Sequence, residues 1–153
     1  MAEAIGVLAS LACSLFAGAA VYINLVEHPA RLLCGTEIAA RQWAPSYKRA
    51  TVMQVSLVIV ATLAGVARWL SGGGVLWLIG AGVIVSVVPF TLLVILPTNN
   101  KLLESSRDLG SEETRQLLVA WGRLHAVRSS LSFVASIIYL YALAGPWGGP
   151  TRS

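Results

Sequence analysis

The segment "VLWLIGAGVIVSVVPFTLLVIL", residues 75–96, decides the fold because it contains no charged side chain and is long enough to cross a lipid bilayer. A bilayer core requires roughly 20 consecutive apolar residues in a helix. Three more segments meet this requirement, so the predicted spans are about 4–26, 50–70, 75–96 and 126–145. With 56% hydrophobic and 12% charged residues, the chain has the composition of a membrane protein.

Four apolar spans joined by short connections predict an all-α fold, a single domain over residues 1–153 that forms an integral membrane four-helix up-down bundle. The segment "TNNKLLESSRDLG" predicts a short interfacial helix over about 99–109, between spans three and four. Ser111 is expected to cap a fourth helix that extends from about 112, because two acids follow near the positive end of its dipole. No internal repeat is evident.

Three prolines are expected to shape the helices. Pro29 disfavours a helical conformation at His28, which predicts a distorted last turn in the first helix. Pro45 is expected to mark the start of the second helix, and Pro89 to bend the third, because proline deletes a backbone hydrogen bond. The first span is expected to be retained, since the preceding "MAEA" carries no positive charge.

Basic residues concentrate in the first and third connections, and the second connection and the chain ends carry only Arg68 and Arg152. By the positive-inside rule, connections one and three are cytoplasmic and both termini are extracytoplasmic, in a plasma membrane or an endoplasmic reticulum membrane. The expected partners are membrane lipids and a lipophilic small molecule, and a homo-oligomer is left open. No basic, aromatic-rich patch indicates nucleic-acid binding.

Polar side chains gather at one depth on all four helices. They are Asn24, Glu27, His28 and Arg31 on the first, Tyr47, Thr51 and Gln54 on the second, Asn99 and Asn100 on the third, and Trp121, His125, Arg128 and Ser132 on the fourth. Polar groups are costly in lipid, so they should turn inward and satisfy one another. The pattern predicts a polar chamber near the cytoplasmic face.

Each of these residues also has a structural interpretation. Glu27 would pair with Arg31 or Arg128, and Arg31, Arg123, Lys48 and Arg49 would anchor helix ends at the interface. Trp43, Trp69, Trp77 and Trp147 would be belt or packing aromatics. The functional interpretation gains weight because both histidines of the chain fall at the same depth, beside a carboxylate, two arginines and a tryptophan.

The segments "NLVEHPARL", "WAPSYKRATVMQ", "PFTLLVILPTNNKLLE" and "LLVAWGRLHAVRSSLS" occur in this order between the spans. Together they resemble the anthrone oxygenase family, also known as domain of unknown function 1772 (DUF1772), over roughly residues 18–135. The resemblance implies a small four-helix membrane protein. It also implies an oxidoreductase of the monooxygenase type, because characterised fungal members oxidise anthrones to anthraquinones with molecular oxygen and without an added cofactor.

A cofactor-independent oxygenase needs a base, groups that stabilise an oxyanion, and an apolar slot. His125 is the expected base because its unperturbed pKa lies near neutrality, and Glu27 or His28 would orient or replace it. Arg128 and Asn99 would hold the oxyanion. Trp121 and Tyr47 would stack on the substrate rings. Further predicted substrate-binding residues are Asn24, Gln54 and Ser132.

Two alternatives remain open at this point. His28, His125 and Glu27 have the composition of a two-histidine, one-carboxylate iron site, copper is a further candidate, and two histidines on different helices also suit haem. The other alternative is a non-enzymatic membrane protein that binds a lipophilic ligand or serves as a scaffold. Its polar chamber would then be a ligand pocket or a buried ion-pair network that fixes the helix register.

Overall fold

The computed structural model describes residues 1–145, which form four long helices and no strand. The predicted all-α class is confirmed, and each of the four helices is long and apolar enough to cross a membrane. Trp147 and Arg152 lie outside the described residues. The helices are α1, Ala2–Leu33; α2, Thr36–Leu70; α3, Val75–Leu102; and α4, Glu112–Ala144.

The first connection is much shorter than predicted because most of it is helical. Helix α2 begins at Thr36, and Pro45 lies inside it, so the prediction that Pro45 marks the start of this helix was wrong. Tertiary packing explains the difference. Trp43 is only 1% exposed, and its ring stacks on Tyr47 at a centroid distance of 5.0 Å, which holds the segment helical despite the proline.

The interfacial helix predicted over 99–109 is also absent. Helix α3 ends at Leu102, and residues 103–111 form turns. Arg107 stabilises these turns, because its Nε donates to the Lys101 carbonyl oxygen at 2.6 Å and its guanidinium pairs with Glu104 and Glu113. Helix α4 then begins at Glu112, and the predicted cap is confirmed, since Ser111 Oγ accepts from the Thr114 N–H.

Helices α1 and α3 both widen into a π-helical turn just before a proline. The π-helical turns are Ile23–Glu27, before Pro29, and Thr91–Ile95, before Pro97. A wider turn accommodates a proline ring, which would clash with a carbonyl in a regular α-helix. His28 keeps helical angles, φ −68° and ψ −44°, so the expectation for that residue was wrong, and the distortion lies one turn earlier.

The α1–α2 and α3–α4 hairpins repeat one local pattern, although no repeat is evident in the sequence. The first helix of each hairpin carries a π-turn followed by a proline. The second carries a tryptophan stacked on an aromatic ring four residues later, Trp43 on Tyr47 and Trp121 on His125. The two indoles meet edge to face at 5.7 Å. The halves therefore converge at one end of the bundle, which we call the site end.

Small residues bring α1 and α4 into close contact. A stripe of small residues on α1 is buried, and it consists of Gly6, Ser10, Cys13, Ala17 and Ala20. Ser14 and Ser136 share a hydrogen bond of 2.8 Å, and Ser129 Oγ lies 3.0 Å from the Ala20 carbonyl oxygen. Such contacts between small side chains are how helices associate in a membrane, where burial of apolar surface supplies little driving force.

Candidate active site

A narrow cavity of about 20 Å³ lies between the four helices at the site end. We call it the polar chamber, and its polar lining consists of Arg31, Ser46, Tyr47, Thr51, Gln54, Asn99, Trp121, His125 and Arg128. A cavity needs about 10–15 Å³ to hold one water molecule, so the chamber has room for one very small molecule. Six predicted site residues line it: Tyr47, Gln54, Asn99, Trp121, His125 and Arg128.

Asn24 fixes the orientation and tautomer of His125. Its Nδ2 donates to the Gly122 carbonyl at 2.9 Å, and because a carbonyl only accepts, Oδ1 of the same amide must face His125. Oδ1 lies 2.7 Å from His125 Nδ1 and also accepts from Ser129 Oγ. His125 therefore carries its proton on Nδ1, and within residues 1–145 no group bonds its Nε2. That nitrogen keeps a lone pair for proton abstraction.

Replacing Asn24 with alanine is expected to lower kcat for a substrate of the site by about 10- to 100-fold, because His125 loses the group that sets its tautomer. The ¹⁵N spectrum of histidine-labelled protein checks the cause directly. In the wild type, His125 should show a protonated Nδ1 and an unprotonated Nε2, and the Asn24→Ala variant should show a mixture. A spectrum unchanged by the substitution would contradict this role.

Arg128 contributes a guanidinium that no carboxylate of residues 1–145 neutralises. Its Nη2 donates to Gln54 Oε1 at 2.8 Å, and the guanidinium carbon lies 5.1 Å from the centre of the Phe16 ring. An amide dipole and an aromatic face compensate a cation only in part. The chamber wall therefore presents positive charge that suits an anionic or oxyanionic ligand.

Several buried polar atoms around the chamber have no protein partner in the described part of the chain. They are both side-chain polar atoms of Asn99, Nε2 of Gln54, and Nε of Arg31 and Arg128. Asn99 is 0% exposed. Buried polar groups in proteins are almost always hydrogen-bonded, so a cluster of unpaired ones at a single cavity indicates a place built for a polar ligand group.

Aromatic rings close one side of the chamber. The Trp121 ring lies 4.8 Å from His125, 5.0 Å from His28 and 5.7 Å from Trp43. Tyr47 continues the wall, because its ring is parallel to that of Trp43 within 4°. The rings exclude water from the region beside His125, which strengthens the electrostatic effect of Arg128.

Four predicted site residues lie outside the lining of the chamber. Glu27 bonds to Arg31, to Ser46 at 3.0 Å and to Gln42 at 3.2 Å, so it does not orient His125. His28 Nε2 donates to the Leu118 carbonyl at 2.9 Å. Ser132 Oγ donates to the Ser129 carbonyl within α4. The fourth, Asn24, predicted to bind substrate, is instead the partner of His125.

The metal and haem alternatives find no assembled ligand set in residues 1–145. No three His, Cys, Asp or Glu side chains of this part of the chain come together as a possible metal site. Arg31 engages the Glu27 carboxylate, and the Leu118 carbonyl engages His28 Nε2. These residues therefore do not fit a two-histidine, one-carboxylate iron or copper centre, and His28 is not placed as a free axial ligand for haem.

Two residues contribute to the site in ways that the sequence did not predict: Arg31 was given another role, and Ser129 was given none. Arg31 was interpreted as an interfacial anchor, yet its side chain is only 4% exposed and lines the chamber. Arg31 was one of the two partners expected for Glu27, and this ion pair is confirmed, with the spacing of four residues placing both side chains on one helix face. Ser129 follows His125 at the same spacing and completes the hydrogen bonds of Asn24.

The fold and the site define a small helical protein with four helices able to cross a membrane and a histidine-based polar chamber. The family model described as anthrone oxygenase matches residues 43–138. Anthrone oxygenase tpcL of Aspergillus fumigatus is 32% identical over 139 residues, which cover 83% of this chain and 85% of the relative. The chain therefore belongs to the anthrone oxygenase family, as the sequence resemblance predicted.

A second relative, anthrone oxygenase AgnL2 of Paecilomyces divaricatus, is 42% identical over 62 residues, covering 35% of this chain and 38% of the relative. No solved structure gave a significant match. The family match covers α2 from Trp43 onward, all of α3, and α4 as far as Ile138, so it includes Gln54, Asn99, His125 and Arg128. Asn24 lies before the residues that the family model matches.

Proposed function

We propose that this protein is a membrane oxygenase that uses dioxygen, without a cofactor, to convert an anthrone-like substrate to a quinone. The substrate class is lipophilic, aromatic and enolisable. The observation that carries the proposal is the geometry of His125. Its Nδ1 is held by Asn24, which leaves Nε2 as a base beside the guanidinium of Arg128, in a chain of the anthrone oxygenase family.

The reaction begins with removal of a proton. An anthrone has a methylene group joined to two aromatic rings and conjugated through them with a carbonyl, so loss of one methylene proton to His125 Nε2 gives an enolate. That electron-rich carbon is oxidised by dioxygen, and a carbon–oxygen bond forms to give a peroxide. Loss of the second hydrogen as a proton, with cleavage of the oxygen–oxygen bond, gives the quinone carbonyl and water. Dioxygen is the only electron acceptor required.

The remaining chamber residues stabilise the charge that develops. Proton removal places negative charge on the substrate oxygen, and Arg128 and Asn99 supply donors whose positions are fixed before the reaction. Because these donors lie among the aromatic rings of Trp121 and Tyr47, water competes little with them. Water exclusion also protects the carbanion from taking back its proton before it meets dioxygen.

We place the site end of the bundle on the cytoplasmic side of a plasma membrane or an endoplasmic reticulum membrane. The support is the excess of Lys and Arg in the two connections at this end, which the positive-inside rule assigns to the cytoplasm. A site at this depth takes a lipophilic substrate from the bilayer and exchanges protons with water through the ends of α1 and α4.

Purified protein in lipid nanodiscs is expected to accelerate anthrone oxidation and to consume one dioxygen for each quinone formed. An oxygen electrode and the visible absorbance of the quinone measure both quantities together, with empty nanodiscs giving the rate of spontaneous oxidation. The rate should be proportional to protein and unaffected by a metal chelator. A rate equal to that of empty nanodiscs would contradict the proposal and favour a protein that only binds a lipophilic ligand.

A further inference from the structure

An apolar groove of about 310 Å³ runs along the outer face of the bundle between α2 and α3. We call it the α2–α3 groove. Its floor contains Val58 and Val87, which are 4% and 1% exposed, and Val55 and Leu92 form part of its half-exposed rim. Four residues line both the groove and the polar chamber: Tyr47, Thr51, Gln54 and Arg128. The two spaces therefore meet at the Arg128–Gln54 hydrogen bond.

The volumes of the chamber and the groove limit the size of the molecule that each can hold. A pocket for a ligand of several rings has a volume of about 300–1,000 Å³, which the groove reaches and the chamber of about 20 Å³ does not. The chamber accommodates a molecule of the size of dioxygen or water. Of these two spaces, only the groove therefore has room for a flat substrate of three fused rings.

The positive charge of Arg128 also favours a flat aromatic ligand in the groove. Arg128 lies where the largely apolar groove meets the polar chamber, and no carboxylate of residues 1–145 pairs with it. A guanidinium at membrane depth without a counter-charge is costly. An aromatic enolate or phenolate would cover the valine floor with its rings and neutralise Arg128 with its oxygen, so its chemistry fits both parts of the groove.

Two other crevices fit this occupant less well. The crevice between α1 and α4 reaches Asn24 and Ser129, but its lining contains no cation. The crevice between α1 and α2 is lined by Glu27 and Arg49, and the Glu27 carboxylate there would repel an oxyanion. Among these three, only the α2–α3 groove has a largely apolar lining that includes a cation and no carboxylate.

We infer that the α2–α3 groove is the substrate site, which a flat polycyclic aromatic ketone or phenol enters sideways from the bilayer, with its oxygen on Arg128 and Gln54. This inference rests on the proposed function, because the chamber behind the groove then supplies His125 and the space for dioxygen. The groove determines specificity by its width between α2 and α3, and Arg128 selects substrates that carry an ionisable oxygen.

Binding of a dihydroxyanthraquinone to protein in phosphatidylcholine nanodiscs tests the inference without any turnover. The ionised form of this ligand absorbs at longer wavelength than the neutral form. Binding to the wild type should be saturable and should increase the ionised fraction at neutral pH, and Arg128→Gln should lose this spectral change. Leu92→Trp, which fills the groove, should raise Kd by at least tenfold. Leu93→Trp is the matched control, because Leu93 is 77% exposed and lies outside the groove.

The outcomes of these experiments test the location of the substrate site and the proposed reaction separately. If Leu92→Trp turns over anthrone with unchanged KM and kcat, the groove is not the substrate site, and the proposed oxygenase activity stands. If the ligand binds saturably and Leu92→Trp weakens this binding, but the protein does not oxidise anthrone, the groove is a binding site and the proposed oxygenase activity is wrong. Equal Kd values for Leu92→Trp and Leu93→Trp, or a spectral change that persists in Arg128→Gln, would overturn the inference. The absence of saturable binding to the wild type would also overturn it and leave a lipid chain as the occupant.

Discussion

Replacing His125 with glutamine is expected to lower kcat for anthrone oxidation by about 10²–10⁴-fold, the usual contribution of a positioned general base. Glutamine keeps much of the volume and hydrogen-bonding capacity of histidine, so the packing against Trp121 changes little. It offers no basic nitrogen to the substrate, whose methylene proton must then leave to solvent. KM should change far less than kcat, since the rings bind elsewhere and the base acts in the transition state.

The second histidine of the chain provides the matched control. His28 lies 5.0 Å from Trp121 on the same aromatic wall, but its Nε2 donates to the Leu118 carbonyl. A glutamine amide can donate the same bond, so His28→Gln should retain kcat within a few-fold. Both variants should be compared at equal folded fractions by size-exclusion chromatography and circular dichroism. A full rate in His125→Gln, or equal losses in both variants, would show that His125 is not the base.

The sequence predicted the face of α4 well because helical periodicity is a local property. Trp121, His125, Arg128 and Ser132 share one face in any regular helix, and the burial of Trp121, His125 and Ser132 follows from that spacing. Gln54 and Asn99 were also placed at the correct depth by counting along apolar spans. These inferences needed no knowledge of neighbouring helices, and all of the named residues except Ser132 line the chamber.

The partners of His125 and Arg128 could not be predicted because they depend on contacts between helices. Glu27 and Asn24 lie one turn apart on α1, and either could have faced His125. The π-turn Ile23–Glu27 alters the rotation of the helix between them, and it brings Asn24 to His125 and Glu27 to Arg31. The prediction that Pro45 marks the start of α2 failed for a related reason, because the burial of Trp43 outweighs the local preference of proline.

The repeated local pattern of the two hairpins explains why chemistry is concentrated on one of them. Both hairpins deliver a tryptophan and a stacked ring to the same point, but the ring is Tyr47 on α2 and His125 on α4. Only the imidazole provides a base at neutral pH. Gln54 on α2 meets Arg128 on α4, so each half supplies one member of the pair that faces the substrate oxygen.

Replacing Gly65 with alanine is expected to destabilise the bundle more than a change of one methyl group usually does, by about 1–3 kcal/mol or more. Tyr139 of α4 is fully buried, and its hydroxyl donates to the Ala61 carbonyl of α2 at 3.0 Å. A Cβ on Gly65 would overlap that hydroxyl and lie 2.7 Å from Cζ. Gly80 of α3 closes the other side, where a Cβ would lie 2.6 Å from Tyr139 Cε1. The ring cannot move away from either glycine.

Thermal unfolding of purified variants in one detergent measures this effect, and Gly82→Ala is the matched control because a Cβ there meets nothing within 4 Å. Adding Tyr139→Phe to Gly65→Ala should restore part of the lost stability, since it removes the overlapping oxygen but leaves the ring. In the wild-type background, Tyr139→Phe should instead cost about 1 kcal/mol for the lost hydrogen bond. Equal melting temperatures for Gly65→Ala and Gly82→Ala would mean that α2 and α4 adjust freely around Tyr139. Tyr139 would then not fix the spacing of α2 and α4, the helices that carry Gln54 and Arg128. That spacing would instead be set at the site end, by the edge-to-face contact of Trp43 with Trp121.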